Sequence, residues 1–286
     1  MPYATSKGVR LYYEEAGRGT PIVFVHEFSG DFRSWEAQMR FFSRRYRCIA
    51  FNARGYPPSD VPERVSKYSP ARAVDDLADV MRHLKLGKAH IIGCSMGSQT
   101  TLHLGLTYPR MAISLTAIGA GSGSNHPTRA EQKRASAENA RRYQEEGLEA
   151  MLARVGKAPN RVLLKHKNPL AWEDFERRFM EHSALGCANI QRGIQGTRAP
   201  LMTLGAKFRA LKVPTHLVVG DADTGAIEPS LFIKRNCPAA RLTILPATGH
   251  LANAEEPEIF NRLTEMFYAD VERAGASGTR VASQNA

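Results

Sequence analysis

The sequence predicts an α/β protein, with a mostly parallel sheet of the eight-stranded type, helices on both faces and a helical segment inserted late in the chain. Three observations predict it. Short continuous apolar runs recur at Ile22–Val25, Cys48–Phe51, Ala89–Gly93 and Ile113–Ile118, as strands buried on both faces require. Helix-period segments separate most of them, and strands alternating with helices of this length give a parallel sheet covered on both sides. From Asn125 to about Leu204 no buried strand is found, and strands resume at His216–Val219 and Leu242–Leu245.

Val9–Glu15 alternates and reads as an early strand, followed by a turn over Glu15–Pro21. Ser34–Arg44 places Trp35, Met39 and Phe42 at helical spacing. Tyr56–Pro62 is a Pro-rich loop. Ser69 and Pro70 supply an N-cap and a first-turn proline. Val74, Leu77, Met81 and Leu84 then share one face, and Gly87 is the expected stop. Ser98–Tyr108 is helical and ends at Pro109. The pattern breaks at Gly119–Gly123.

In the insertion, Thr128–Val155 reads as one long charged helix. Trp172, Phe175 and Phe179 mark another, and Ala184–Gln195 mixes small and apolar residues. A closing helix over Glu255–Tyr268 carries Ile259, Leu263 and Phe267. The expected division is a core of residues 1–121 and 205–270, a helical cap at 122–204 and a disordered Gly/Ala/Ser-rich tail at 271–286.

A chain of 286 residues, 43% hydrophobic and 23% charged, is one large globular domain or a domain with an insertion. Its 39 basic and 28 acidic side chains leave a net charge of +11. The excess is scattered, as at Arg44, Arg45 and Arg47, Arg141 and Arg142, and Arg177 and Arg178. No run of like charges marks a polyanion site, so nucleic acid is not expected as a partner. Cys48, Cys94, Cys187 and Cys237 lie far apart with no CxxC pair, which indicates neither a disulfide framework nor a zinc site. The first residues are polar, and no apolar run approaches the ~20 residues of a membrane span. The expectation is a cytoplasmic protein with a small-molecule substrate and no membrane partner, homo-oligomerisation being left open.

The chemistry sits on loops after strands. Gly93-Cys94-Ser95-Met96-Gly97 fits G-x-S-x-G between a buried strand and a helix. The chain must turn sharply there, presenting Ser95 Oγ at the carboxyl edge of the sheet. The backbone N–H of Met96 then faces the same space at the positive end of a helix. A serine hydroxyl needs a base. Of nine histidines, His83, His90, His103, His126, His166, His182 and His216 lie on helices, in the insertion or at strand starts, where surface or core roles are expected. His250 follows the last strand in a loop at its carboxyl end, where ligand chemistry collects. The imidazole needs an acid. The loop after His216–Val219 supplies Asp221 and Asp223, whereas Gly119-Ala120-Gly121 offers none. Asp223, further into the loop, is favoured, and Asp221 is expected to cap the turn.

Together these residues resemble the α/β-hydrolase superfamily, in its serine-nucleophile branch with a helical cap, over nearly all of the chain outside the cap and tail. The order Ser95, Asp223, His250 is the superfamily's order. His26-Glu27-Phe28-Ser29-Gly30 is similar to its HG-x-x-G oxyanion loop. The resemblance implies that the Phe28 N–H joins that of Met96 in an oxyanion hole. Asn52–Tyr56 is similar to its D-x-R-G-x-G-x-S loop, and Gly249-His250 with Glu256-Pro257 and Phe260 to its closing segment. Asn52 and Pro57-Pro58 depart from that loop. Glu27 stands where the superfamily usually has glycine. Its expected role is to turn away and pair with a basic neighbour such as Arg54, the other reading being a substrate contact.

The resulting reading is a serine hydrolase cleaving a small carboxylic ester or lactone through an acyl-enzyme, with no metal or organic cofactor. The serine at residue 95 departs from the dehalogenase and epoxide-hydrolase branches, which use aspartate. The rivals are a carbon–carbon bond hydrolase of a vinylogous diketone (meta-cleavage-product type) using the same triad, a lyase or cofactor-free oxygenase, and a non-hydrolytic binding or receptor protein. His26, Glu27, Cys94, Trp172 and Arg192 are the expected pocket residues. Met151, Leu152, Trp172, Phe175, Phe179 and Leu185 either line a dry pocket or pack the cap itself. Arg192 and Arg198 are candidates for a substrate carboxylate.

Overall fold

The strands along the chain are β1 (Tyr3–Ser6), β2 (Val9–Ala16), β3 (Pro21–Val25), β4 (Arg47–Phe51), β5 (Ala89–Cys94), β6 (Ala112–Ile118), β7 (Thr215–Gly220) and β8 (Ala240–Leu245). They form one sheet in the order β1-β2-β4-β3-β5-β6-β7-β8. The two contacts made by β2 are antiparallel, and every pairing from β4 to β8 is parallel. The structure, a computed structural model, describes residues 2–121 and 128–284.

The apolar runs become central strands because both faces are covered. All six residues of β5 and of β7 are buried, while β8, at the sheet edge, exposes Arg241 and Ile244. The helices flanking the sheet are α1 (Glu36–Phe42), α2 (Pro70–His83) and α3 (Met96–Thr107). Between β6 and β7 lie α4 (Arg129–Glu145), α5 (Gly147–Val155), α6 (Pro159–Lys167), α7 (Pro169–Phe179), α8 (Ala184–Ile190) and α9 (Gly205–Ala210). Then come α10 (Thr224–Asn236), α11 (Ala252–Glu255) and α12 (Pro257–Gln284). Ser69 caps α2 by accepting the Arg72 N–H at 3.1 Å, as its sequence position predicts.

Several boundaries differ from the sequence reading. β1 was not anticipated, since four residues are too few to show a period. Helix α2 ends at His83, well before Gly87, because Lys85 already takes a positive φ of 54°. The long helix expected over Thr128–Val155 breaks at Gly147, whose φ of +79° is incompatible with a continuing right-handed helix. The chain beyond Asp270 was expected to be a disordered tail, yet α12 continues to Gln284. Val271 packs against the apolar layer containing Phe267 and Tyr268, and Glu272 Oε1 lies 3.3 Å from His90 Nε2. Those contacts anchor the first turn beyond Asp270, where composition alone suggested no anchor. The start of the cap at Ser122 and the candidate His126 lie outside the described residues.

The strand order places the site. The chain moves outward from β3 to β4, then returns across β3 to add β5 on its other flank. Connections leaving β3 and β5 therefore diverge and open a crevice above their carboxyl ends. The loop after β3 carries His26–Gly30, and the turn after β5 carries Ser95.

Candidate active site

Ser95 begins the turn from β5 into α3 with φ 53° and ψ −110°, a conformation a non-glycine residue adopts only under strain. The flanking glycines permit it. A Cβ on Gly97 would stand 2.1 Å from the Val25 carbonyl oxygen, and one on Gly93 would stand 2.2 Å from the Gly97 carbonyl oxygen. The start of α3 can thus press against the end of β3 only while both positions lack a side chain. Ser95 is partly exposed in an otherwise buried turn, and its N–H is held by the Ile118 carbonyl at 2.8 Å.

The loop after β8 delivers His250. Its Nδ1 lies 2.6 Å from Asp223 Oδ2, and both side chains are buried. Two further contacts fix the loop. The Glu255 carboxylate accepts the N–H groups of Gly249 at 2.6 Å and Leu251 at 3.1 Å. The Asn160 carbonyl accepts the His250 N–H at 2.8 Å. Asn160 Nδ2 also donates to Asp223 Oδ1 at 3.2 Å, so one residue of α6 touches both members of the pair. Neither Asn160 nor Glu255 was anticipated, because each acts through backbone or second-partner contacts that leave no motif. Asp221 takes the turn-capping position expected of it, accepting the Thr248 N–H at 3.1 Å. Bonds from the Ala247 and Thr248 backbone hold its carboxyl below its ordinary range.

Ser95 and His250 line a common cavity of about 470 Å³ with Phe28 and Ser29. Among the described residues, neither the Phe28 nor the Met96 N–H has a protein acceptor outside helix and strand ladders. The Phe28 peptide is fixed from its other end, since the Tyr56 hydroxyl donates to its carbonyl. His26 supports the same loop from below. Its Nε2 accepts the Ala53 N–H at 3.1 Å, which leaves the proton on Nδ1 to donate to the Glu27 carbonyl at 2.7 Å. Burial pushes its pKa down, as a neutral ring in this role requires.

The rest of the wall comes from the segment between β6 and β7, and it is more polar than expected. Met151 lines it, but so do Asn139, Tyr143, Gln191 and Gln195. Trp172 and Phe179 pack in the apolar layer beneath α7, Leu152 packs against that layer, and Leu185 is exposed. Four arginines line the cavity: Arg142, Arg154, Arg161 and Arg198. Arg142 and Arg154 are paired with Glu146. Arg161 is buried and stacks over Phe175, with its guanidinium carbon 5.6 Å from the ring centroid. Its buried Nη1 has no hydrogen-bond partner among the described residues.

Five expected pocket residues lie off this wall. His26 and Cys94 are buried beneath it, Trp172 is packed in the layer under α7, and Arg192 bonds Gln144 at 2.6 Å. Glu27 faces a different cavity. The expected Glu27–Arg54 pair is absent, because Arg54 is committed to Asp76 at 2.5 and 2.6 Å and to the Lys67 carbonyl. Arg198, the other carboxylate candidate, does line the cavity.

A sheet of this order with a strained serine after β5 and a buried imidazole–carboxylate pair after β8 and β7 defines a class. The model of the alpha/beta hydrolase fold family matches residues 20–257. The chain belongs to that family and is a hydrolase. Three of its relatives match most of the chain. A Bacillus subtilis (strain 168) protein named for 2-succinyl-6-hydroxy-2,4-cyclohexadiene-1-carboxylate synthase activity is 27% identical over 93% of this chain and 97% of its own. The 2-hydroxy-6-oxononadienedioate/2-hydroxy-6-oxononatrienedioate hydrolase of Comamonas testosteroni is 27% identical over 91% and 92%. The 3-oxoadipate enol-lactonase 1 of Acinetobacter baylyi (strain ATCC 33305 / BD413 / ADP1) is 24% identical over 88% and 89%.

Proposed function

We propose that the protein hydrolyses a small carboxylic ester or lactone that carries a second, anionic group, through Ser95, His250 and Asp223. The observation that carries the reading is the 2.6 Å contact between His250 and Asp223, beside a strained Ser95 on the wall of the same cavity. His250 takes the Ser95 proton as Oγ bonds to the substrate carbonyl carbon. The N–H groups of Phe28 and Met96 receive the oxyanion. The alkoxide leaves with the proton held by His250. Water, deprotonated by the same ring, then adds to the acyl-enzyme and releases the acid. The segment between β6 and β7 acts as a cap that walls the pocket.

The anionic group is supported by Arg161. A buried guanidinium nitrogen without a partner is costly unless a ligand supplies an acceptor. The three relatives' names each contain a carboxylate, which favours the same substrate class.

The test is a panel of p-nitrophenyl esters and lactones of graded acyl length, with and without a terminal carboxylate, on wild type and Ser95→Ala. Ester turnover should fall at least about 10³-fold in Ser95→Ala. Near-wild-type turnover in that variant would defeat the proposal. A second reading is carbon–carbon bond hydrolysis of a vinylogous diketone, favoured by the likeness to the Comamonas testosteroni hydrolase. A ring-cleavage dienoate assayed beside the esters separates the two.

A further inference from the structure

A second cavity, of about 240 Å³, shares Ser29 with the first but is lined by Glu27 rather than by Ser95. Glu27 is 1% exposed. Its Oε1 accepts the Ser34 hydroxyl at 3.2 Å, while its buried Oε2 has no partner among the described residues. The Oδ1 of Asn253, on another wall, is buried and unpartnered in the same way. The arginines around the cavity do not serve Glu27. Arg33 pairs with Asp31 and Glu181, Arg40 with Glu36, and Arg178 with Glu36 and Asp174.

The place for this carboxylate is built into the backbone. A Cβ on Gly30 would stand 2.1 Å from Glu27 Oε1, so the loop leaves the room that the acid fills. Besides these charged groups, Leu164, Phe175, Leu251 and Ala254 give the cavity an apolar part. Glu27 and Asn253 are both hydrogen-bonded to Ser34, which brings the two acceptors without donors together, and with the apolar part of the wall they call for a ligand that donates several hydrogen bonds from a cation and carries an apolar body.

We propose that this cavity binds a small organic cation, a primary ammonium group on an aryl or alkyl body, with the ammonium at Glu27 and Asn253. The site is separate from the one assigned to ester cleavage and does not depend on that assignment.

The experiment titrates wild type, Glu27→Gln and Ser95→Ala with benzylammonium and with benzyl alcohol, its uncharged counterpart, by calorimetry. Benzylammonium should bind wild type and Ser95→Ala equally and saturably. Glu27→Gln should bind it at least about tenfold more weakly, as should wild type bind the alcohol, since a charge-assisted bond is lost in each case. Ala254→Leu reaches the cavity from α11 and should also abolish binding, which decides the matter should Glu27→Gln fail to fold. Absence of saturable binding to wild type, undiminished binding to Glu27→Gln or Ala254→Leu, or loss of binding in Ser95→Ala overturns the proposal. Loss in Ser95→Ala would place the cation in the first cavity instead.

Discussion

The backbone carbonyl of Asn160 accepts the amide N–H of His250 at 2.8 Å. A residue at the start of α6, inside the segment proposed to roof the cavity, therefore holds the imidazole loop. Its side chain reaches Asp223 as well. The roof and the proposed proton relay are thus one mechanical unit.

Asn160→Ala keeps the backbone bond and removes only the contact to Asp223. A hydrogen bond to a charged group is worth about 1.5–3 kcal/mol. Steady-state kinetics should show kcat falling about tenfold, with KM changed little, because the bond that is lost is the one to Asp223. An unchanged kcat would show that Asp223 is oriented without Asn160.

Arg161→Gln should separate substrates by charge. KM for carboxylate-bearing esters should rise about 10–100-fold, the range for loss of a charge-assisted bond. KM for neutral esters of the same length should hold within about twofold of wild type. Equal effects on both series would mean that Arg161 only braces Phe175.

Acid should destabilise the fold through its buried histidines, His182 and His216 among them. Burial lowers the pKa of His182 and of His216 from 6.5 to about 4 in each case. The unfolded chain therefore binds more protons than the native one below pH 6.5, and stability falls as pH drops from there toward 4. Between pH 7 and pH 5 each ring costs about 2 kcal/mol. Urea melts at the two pH values should show the summed loss, to which His26, His90 and His103 also contribute because burial lowers their pKa values, and His182→Phe should remove about 2 kcal/mol of it. A variant with the wild-type pH slope would mean that His182 is protonated in the native state.

Gly97→Ala tests the packing of the turn. Its new Cβ would collide with the Val25 carbonyl oxygen, so α3 must back away from β3. Overpacking of this kind costs about 1–3 kcal/mol. Thermal melting should register that loss, and ester turnover should fall with it. A variant as stable and active as wild type would show that the contact yields freely.

The parts legible in the sequence were those set by local rules. Buried strands betray themselves by unbroken apolar runs, and the turn at Ser95 by glycines that sterics demand. The partnership of His250 with Asp223 could be inferred because each loop follows a parallel strand, and such loops gather at one edge. What could not be read depends on contacts between distant segments. Arg54 finds Asp76 rather than Glu27 because α2 brings that carboxylate within 2.5 Å, which no spacing announces. The aromatic spacing of Trp172, Phe175 and Phe179 reports a buried helix face but not what the face covers, so it left open whether these rings line a pocket or pack the inserted segment, and the structure shows them packed. Asn160 was missed for the same reason.

The register between β6 and β7 runs without interruption, Leu115 opposite Thr215 through Ile118 opposite Val218, although a long helical excursion separates them along the chain. The scaffold closes under that excursion as it would under a short loop. Segments of other length or lining can then be grafted between these two strands while β5, which leads into Ser95, keeps its neighbours, so long as the graft restores the two contacts that Asn160 makes to His250 and Asp223. Redesign of the excursion is therefore free in its length and tied at a single residue.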